Sequence, residues 1–149
     1  MSAFTSFPSV AWFEMLAGRM TEESELYRDL GACDCCMVVK VEQPDSTRLV
    51  EVLFKGYEVE SIRELDTIDD ASSDHFVVEA PLKVWQEMIE NIEKRGKPDL
   101  EHTLNYLTFP DDPMVVDGPD QLMVDAFYRY NQSLQQFFNG AAGLVTHQP

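Results

Sequence analysis

Three cysteines crowd into four positions of the chain, at Cys33, Cys35 and Cys36. Closely spaced thiols are typical of zinc sites and of redox centres. A zinc site needs a second cysteine pair or histidines at short spacing, and the sequence contains neither. Adjacent residues at the start of a strand also point to opposite sides, so three sulfur atoms do not easily converge. We therefore interpret these cysteines as structural thiols, and we predict no metal site and no cofactor.

Acidic side chains concentrate between residues 66 and 74, where calcium binding is the chemistry to consider. The segment lacks the alternating acids, the glycine and the closing glutamate of an EF-hand loop. Asp111 and Asp112 form a second short acidic pair. Both segments are better interpreted as solvated loops.

The histidines are spread along the chain, at His75, His102 and His147. His102 follows Asp99 and Glu101 closely, so it could act as a general base if a pocket reached it. No nucleophile motif such as G-x-S-x-G frames it, and no glycine-rich phosphate loop is present. We therefore assign no catalytic residue, and an enzyme remains an alternative to a binding protein.

Apolar side chains on the predicted helices are the main functional candidates, because they could line a space for a hydrophobic ligand. They are Trp85, Met88, Leu104, Leu107, Met123, Phe127 and Tyr130. The alternative is that each of them fills the core, because protein interiors are closely packed. The seven methionines of the chain favour a binding space, since thioether side chains adapt to varied apolar shapes.

The stretch that positions most of these side chains is predicted as strand, helix, short helix, strand, helix. Residues 75–80 form the first strand, and helical spacing of apolar residues predicts a helix over 82–95. Asp99 can cap the short helix that follows, whose apolar face is Leu100, Leu104 and Leu107. Residues 114–116 form the next strand, and residues 121–139 form a single last helix with one apolar side.

The first half of the chain predicts two helices followed by strands. Ser9 can cap the first helix, and the second covers 22–30, with Leu26 and Leu30 directed inward. Alternating apolar residues then predict strands over 36–42, 48–55 and 57–65. Strands joined by short loops pair antiparallel, and we expect the strand over 75–80 to continue this meander.

One face of the predicted sheet is mixed, because apolar residues lie there among charged ones. These residues are Val38, Leu49, Leu53 and Val77. We expect either the N-terminal helices or a second subunit to cover part of this outer face. A homodimer formed through it is therefore one expectation.

Length, composition and charge set limits on the protein class. The 149 residues suit one domain over 1–149, with loose ends at 1–8 and 140–149. The net charge of −16 argues against nucleic acid and against docking on anionic membranes. No run approaches the roughly 20 apolar residues of a membrane span, and the beginning lacks the basic region of a secretory signal. An odd number of cysteines fits a reducing compartment, so we expect a cytoplasmic protein.

The order of these elements, with several motifs, resembles the sterol-carrier-protein-2 family of lipid-transfer domains, over roughly Trp12 to Phe138. The matching segments are an acid-containing strand, an aromatic residue in the helix after it, a short polar helix, and a strand that ends near Gly-Asp. They are Val77–Ala80, Trp85, Asp99-Leu100 and Val115–Asp120.

The sequence also departs from the family pattern in the same region. Thr108–Pro113 replaces the small-Gly-Lys segment that often precedes the fifth strand, and Pro119 separates the usual Gly and Asp. The chain is also more acidic than is common in the family. These departures bear on the identity of a ligand more than on the fold.

The resemblance implies an α/β (α+β) domain with a five-stranded, mostly antiparallel sheet and helices on one face. It also implies a hydrophobic tunnel between sheet and helices for a sterol or steroid, a fatty acid or an acyl thioester, with the last helix near its mouth. The leading hypothesis is therefore binding and carriage of a hydrophobic small molecule, without membrane insertion. The alternatives are a small enzyme acting on a hydrophobic substrate in the same pocket and a dimeric interaction module without a ligand.

Overall fold

The computed structural model describes residues 7–72, 74–108 and 113–142, and its centre is a five-stranded sheet. The strands lie in the order β3-β2-β1-β4-β5. Their bounds are β1 Cys35–Glu42, β2 Thr47–Lys55, β3 Glu58–Leu65, β4 Phe76–Pro81 and β5 Val115–Asp117. Each of the five lies within a residue or two of a predicted strand, because alternating apolar side chains mark the first three and short apolar runs mark the other two.

The first three strands form the predicted antiparallel meander, but β4 does not continue it. β4 pairs in parallel with β1, with Met37 opposite Phe76, and β5 pairs antiparallel with the other edge of β4. The expectation that β4 pairs with β3 is therefore wrong. A central position suits β4, because the apolar run Phe76-Val77-Val78 is buried on both faces.

Within the described ranges six helices accompany the sheet, with short 3₁₀ turns at Ile68–Asp70 and Leu100–His102. Their bounds are α1 Val10–Glu22, α2 Ser24–Leu30, α3 Leu82–Arg95, α4 Leu104–Leu107, α5 Gln121–Arg129 and α6 Asn131–Asn139. The predicted bounds of α3 match the structure. Gly96 ends this helix in the left-handed conformation, at φ 86°, which glycine adopts without steric cost.

Polar side chains begin four of the helical segments, as helix-capping chemistry requires, and Thr103 at the start of α4 accepts a hydrogen bond from the backbone N–H of Tyr106. Ser9 accepts a hydrogen bond from the backbone N–H of Trp12, and Asp120 accepts one from that of Met123. Asp99 accepts one from the N–H of His102, but the segment that it begins is a 3₁₀ turn. Leu100, expected on an apolar face there, is 75% exposed.

The predicted single helix over 121–139 is interrupted at Tyr130, where α5 ends and α6 begins. The two halves pack on different surfaces. α5 lies against β4 and β5, whereas α6 lies against α1, α2 and α4. The break allows each half to follow its own surface, and the continuous apolar spacing of the sequence gives no sign of it.

The main core lies between the helices and one face of the sheet. Its centre is a group of aromatic rings in successive contact: Phe7, Trp12, Phe13, Phe54, Trp85, Phe137 and Phe138. Inward residues of the strands, such as Val39 and Val52, complete it. The predicted class, a five-stranded, mostly antiparallel α+β sheet with helices on one face, is thereby confirmed.

Part of the outer face of the sheet is covered from within the chain, whereas Leu53, also predicted there, is only partly buried. Val38, Leu49, Leu65 and Val77 form a small second cluster, against which Ala71 of the β3–β4 connection packs. The N-terminal helices, one of the two expected covers, contribute instead to the main core. In the described residues no helix combines the length and the apolar character that crossing a bilayer requires.

The expected loose ends fall largely outside the described residues, which exclude 1–6 and 143–149. Within the described part, Phe7 packs against the main core, and Ala141 is fully buried in it.

Candidate functional site

A cleft of about 340 Å³ lies at one end of the sheet, beside α5, and we call it the α5 cleft. Apolar side chains from β4 and α5 form much of its wall, and polar side chains stand where β1 and β4 begin. The lining residues are Asp34, Cys35, Cys36, Asp74, Phe76, Leu122, Met123, Ala126, Arg129 and Tyr130. The volume is within the range of about 300–1,000 Å³ that is common for small-molecule sites.

Because β1 and β4 are parallel, both strands begin at the end of the sheet where the α5 cleft lies. β5 runs antiparallel to β4, with Asp117 opposite Val77, so it returns the chain to that end. α5 then starts directly over the cleft, capped by Asp120.

Gly118 allows the chain to pass close to β4 before α5 begins. A Cβ atom at this position would lie 3.2 Å from the backbone oxygen of His75 and 3.3 Å from the Cβ of Met123. Such distances are tighter than ordinary van der Waals contact, so glycine is the residue that permits this close approach. One of the two atoms that it approaches belongs to Met123, which lines the α5 cleft.

A second cleft of about 610 Å³, which we call the β2 cleft, adjoins the first. The two share Asp34, Cys35, Cys36 and Asp74. The rest of the β2 cleft comes from the end of β2 and its neighbours, namely Leu53, Phe54, Lys55, Glu60 and Ser72. The start of β1 therefore stands between two adjoining spaces of ligand size.

The seven predicted ligand-binding residues divide into two groups. Met123 and Tyr130 line the α5 cleft, and Phe127 lies behind its wall, with its ring 5.7 Å from that of Phe76. The other four, Trp85, Met88, Leu104 and Leu107, are buried in the main core away from the lining of this cleft.

The contacts of Trp85 illustrate how the four residues buried in the main core are packed. Its ring centroid lies 5.7 Å from that of Phe7 and 5.8 Å from that of Phe138, and its indole N–H donates to the backbone oxygen of Lys40. The side chain is therefore held by aromatic neighbours and by one hydrogen bond to β1.

Sequence reasoning missed the lining residues Phe76, Leu122 and Ala126. The sequence assigns Phe76 to a strand but not to a site, and Leu122 and Ala126 are unremarkable positions of an amphipathic helix. The glycine before Pro119 could have indicated a close approach at this place.

The cysteines do not meet as a group of three. The sulfur atoms of Cys33 and Cys35 are 3.6 Å apart, whereas Cys36 lies on the other side of β1, near Glu51. The contact with Cys33, together with burial, raises the pKa of Cys35 far above its usual range. Burial and the Glu51 carboxylate raise the pKa of Cys36 to about 12, so both thiols are protonated at neutral pH.

No group of three or more metal-ligating side chains forms among residues 7–72, 74–108 and 113–142. The predicted acidic pair Asp111-Asp112 falls outside these ranges.

His102 and Asp99 form a close pair, with 2.6 Å between Nδ1 of the histidine and Oδ1 of the carboxylate. Asn91 donates to the other carboxylate oxygen of Asp99. The hydrogen bond from His102 lowers the pKa of Asp99, and that from Asn91 adds to the effect. The pair lies outside the lining of both clefts.

A third cleft, of about 420 Å³, lies among α2, α6 and the 3₁₀ turn at 100–102. Its wall is rich in amide side chains, including Asn131, Gln132, Gln135, Gln136 and Asn139.

Two solved structures are similar to this chain along almost its whole length. One is the crystal structure of sterol carrier protein 2, with a TM-score of 0.64 and 20% identity, covering 92% of this chain and 98% of that one. The other is the solution structure of a conserved hypothetical protein from Thermus thermophilus, described as a candidate sterol carrier protein. It has a TM-score of 0.62 and 19% identity, covering 95% of this chain and 93% of that one.

No protein-family profile and no curated protein matches the sequence. At these sequence identities the structural similarity concerns the path of the backbone. The chain has the sterol-carrier-protein-2-like fold that its order of elements indicated.

Proposed function

We propose that this protein binds and carries a small hydrophobic molecule, such as a sterol or steroid, a fatty acid or an acyl thioester, without covalent chemistry. The supporting observation is the α5 cleft, whose apolar wall and volume suit such a ligand. The similarity to sterol carrier protein 2 supports the same class of ligand, since the two chains share one fold.

The energetics of the proposal depend on burial of apolar surface. Each buried methylene contributes about 0.8 kcal/mol, so ten of them supply about 8 kcal/mol before the costs of association. The resulting dissociation constant is about micromolar at best. Such an affinity suits a carrier, because the ligand must also be released.

The residues differ in their proposed roles. Met123 and Tyr130 contact the ligand directly, together with Phe76 and Ala126. A long ligand would extend from the cleft toward α3 and there contact the deeper predicted residues, which are Trp85, Met88, Leu104 and Leu107.

We also propose that the carrier is a cytoplasmic protein without a nucleic-acid partner. A homodimer formed through the outer sheet face is a further proposal.

The site is tested by filling the cleft. The substitution Ala126→Phe places a large ring among the lining residues, so we expect it to weaken binding of a neutral fluorescent sterol at least tenfold. Titration of the purified protein with this probe, followed by fluorescence, measures the dissociation constant. Circular dichroism and the thermal midpoint show whether the variant is folded.

The matched control is Ala11→Phe, which adds the same ring at an exposed position of α1 and should bind like the parent. Met123→Ala provides a second probe of the same wall that widens the cleft instead. If the parent shows no saturable binding, the proposed function is wrong. If folded Ala126→Phe and Met123→Ala both bind like the parent, the ligand site lies elsewhere.

A further inference from the structure

We propose that the α5 cleft selects hydrophobic ligands whose polar end is a hydrogen-bond donor, a hydroxyl or ammonium group, over ligands that end in a carboxylate or phosphate. This inference rests on the proposed function and narrows its ligand class. It favours alcohols such as sterols, and it disfavours fatty-acid anions and acyl thioesters with phosphorylated carriers.

Two carboxylates stand at the polar end of the cleft. Asp34 directly precedes β1 and Asp74 lies just before β4, and the parallel pairing of these strands brings both residues to the same edge of the sheet. Both side chains line the α5 cleft and the β2 cleft, so they flank the place where the two spaces adjoin.

Nothing among the described residues neutralises these two carboxylates. No ion pair joins Asp34 or Asp74 to residues within 7–72, 74–108 and 113–142. Asp34 accepts one hydrogen bond, at 2.8 Å from the backbone N–H of Gly56, through one of its two oxygens. The other oxygen has the capacity to accept a bond from a ligand.

Two cations lie near these carboxylates, Lys55 in the β2 cleft and Arg129 in the α5 cleft, but neither is among the residues that the two clefts share. Lys55 lies 4.0 Å from the carboxylate of Glu60. The guanidinium of Arg129 lies over the ring of Tyr130, 5.7 Å from its centroid. The shared edge of the clefts is therefore acidic, in a protein whose net charge is −16.

The chemistry of these groups decides which polar end is accepted. Ionised carboxylates accept hydrogen bonds and donate none, so they complement a hydroxyl or ammonium group. A second anion beside them meets like-charge repulsion, which weakens as salt screens it. We expect a carboxylate-ended ligand to bind about fivefold more weakly than the matched alcohol at low ionic strength.

The experiment compares three ligands that carry the same sixteen-carbon chain and end in an alcohol, a primary ammonium or a carboxylate group. Each displaces the neutral fluorescent sterol from the parent protein at neutral pH, at low and at physiological salt. The alcohol and the primary ammonium compound should bind more tightly than the carboxylate, and added salt should narrow the difference.

The variant Asp34→Asn, combined with Asp74→Asn, removes both charges and retains an oxygen that can accept the Gly56 N–H. We expect it to bring carboxylate binding to within about twofold of alcohol binding. Asp45→Asn is the matched control, because it removes one charge from the exposed turn at the opposite end of β1, and it should preserve the selectivity.

The outcomes distinguish failure of the inferred selectivity from failure of the proposed function. If the carboxylate binds as tightly as the alcohol or more tightly, the inference is overturned while the proposed function stands. Loss of that carboxylate binding in Arg129→Gln would then identify the arginine as the group that selects the ligand. If the sterol does not bind the parent at all, the proposed function itself fails.

Discussion

At the scale of single residues, Glu51 is the clearest case of a charge held by specific partners. Its side chain is only 3% exposed, and its carboxylate accepts hydrogen bonds from Arg63 at 2.8 Å and from the backbone N–H of Ser72 at 2.7 Å. Burial acts to raise the pKa of Glu51, but these hydrogen bonds outweigh it and lower the pKa below its usual 4.5.

This pKa shift predicts a dependence of stability on pH. Because the folded carboxylate holds its proton less tightly than the unfolded one, its contribution is complete above about pH 4.5 and is lost as the pH falls through the folded value. We expect Glu51→Gln to lower the free energy of unfolding at neutral pH by about 1–3 kcal/mol and to flatten its decline in acid. Urea unfolding at a series of pH values measures both effects.

Glu58→Gln removes a carboxylate from an exposed position of β3 and serves as the control. An acid decline as steep in Glu51→Gln as in the parent would show that other carboxylates account for it.

Residue-scale predictions from the sequence were accurate where local chemistry decides the outcome. Side-chain type and spacing predict helix caps at Ser9 and Asp99 and a helix end at Gly96. All three are present, and Gly96 has the left-handed conformation. Leu26 was expected to point inward but is 40% exposed, because Tyr27 takes the buried position of α2. With only seven residues, α2 gives a period too short to identify its buried face.

At the scale of elements, the contact between Gly118 and β4 controls where α5 lies. In Gly118→Ala the added methyl group meets a backbone oxygen, which cannot move aside as a flexible side chain can. We expect a loss of about 1–2 kcal/mol in the free energy of unfolding, with weaker sterol binding because α5 is displaced. Urea unfolding and the fluorescent titration measure the two effects.

Gly18→Ala is the matched control for this substitution. A Cβ at Gly18 meets nothing within 4 Å, and the residue lies inside α1, so alanine there should stabilise the protein by about 0.5–1 kcal/mol. Equal effects of the two substitutions would exclude a special role for the close approach at Gly118.

The positions of the helices and strands could be predicted from the sequence, but the pairing of the strands could be predicted only in part. Alternation identified the first three strands and short apolar runs the other two, yet neither pattern shows which strand lies beside which. The parallel pairing of β4 was missed for this reason, although its unbroken apolar run was a usable sign of a central strand. The cleft was missed in part for the same reason, since it forms where β1 and β4 begin together.

At the scale of the whole molecule, stability depends on the aromatic rings between the helices and the sheet. Phe138 is fully buried, and its ring lies near those of Trp12, Trp85 and Phe137. We expect Phe138→Ala to cost about 3–5 kcal/mol, because it removes apolar contacts and leaves a cavity. Tyr128→Ala, at a side chain that is 49% exposed, should cost less than about 1 kcal/mol in the same urea unfolding measurement.

A small loss in Phe138→Ala would show that this ring does not fill the core as the structure indicates. The sequence predicted the general class of this core, since apolar faces of helices and strands must meet. It did not predict that Phe7, placed in a loose lead-in, would lie against Trp12 and Trp85.

The sheet order also has a consequence for how the chain acquires its structure. The β1–β2–β3 meander joins neighbours in sequence and can form early, whereas β4 must close a long loop to reach β1, and β5 depends on β4. The walls of the α5 cleft come from both groups of strands, so the cleft is completed only in the last stage of folding. A ligand would therefore bind only the fully folded protein, and the amide hydrogens of β4 and α5 would exchange more slowly when it is bound.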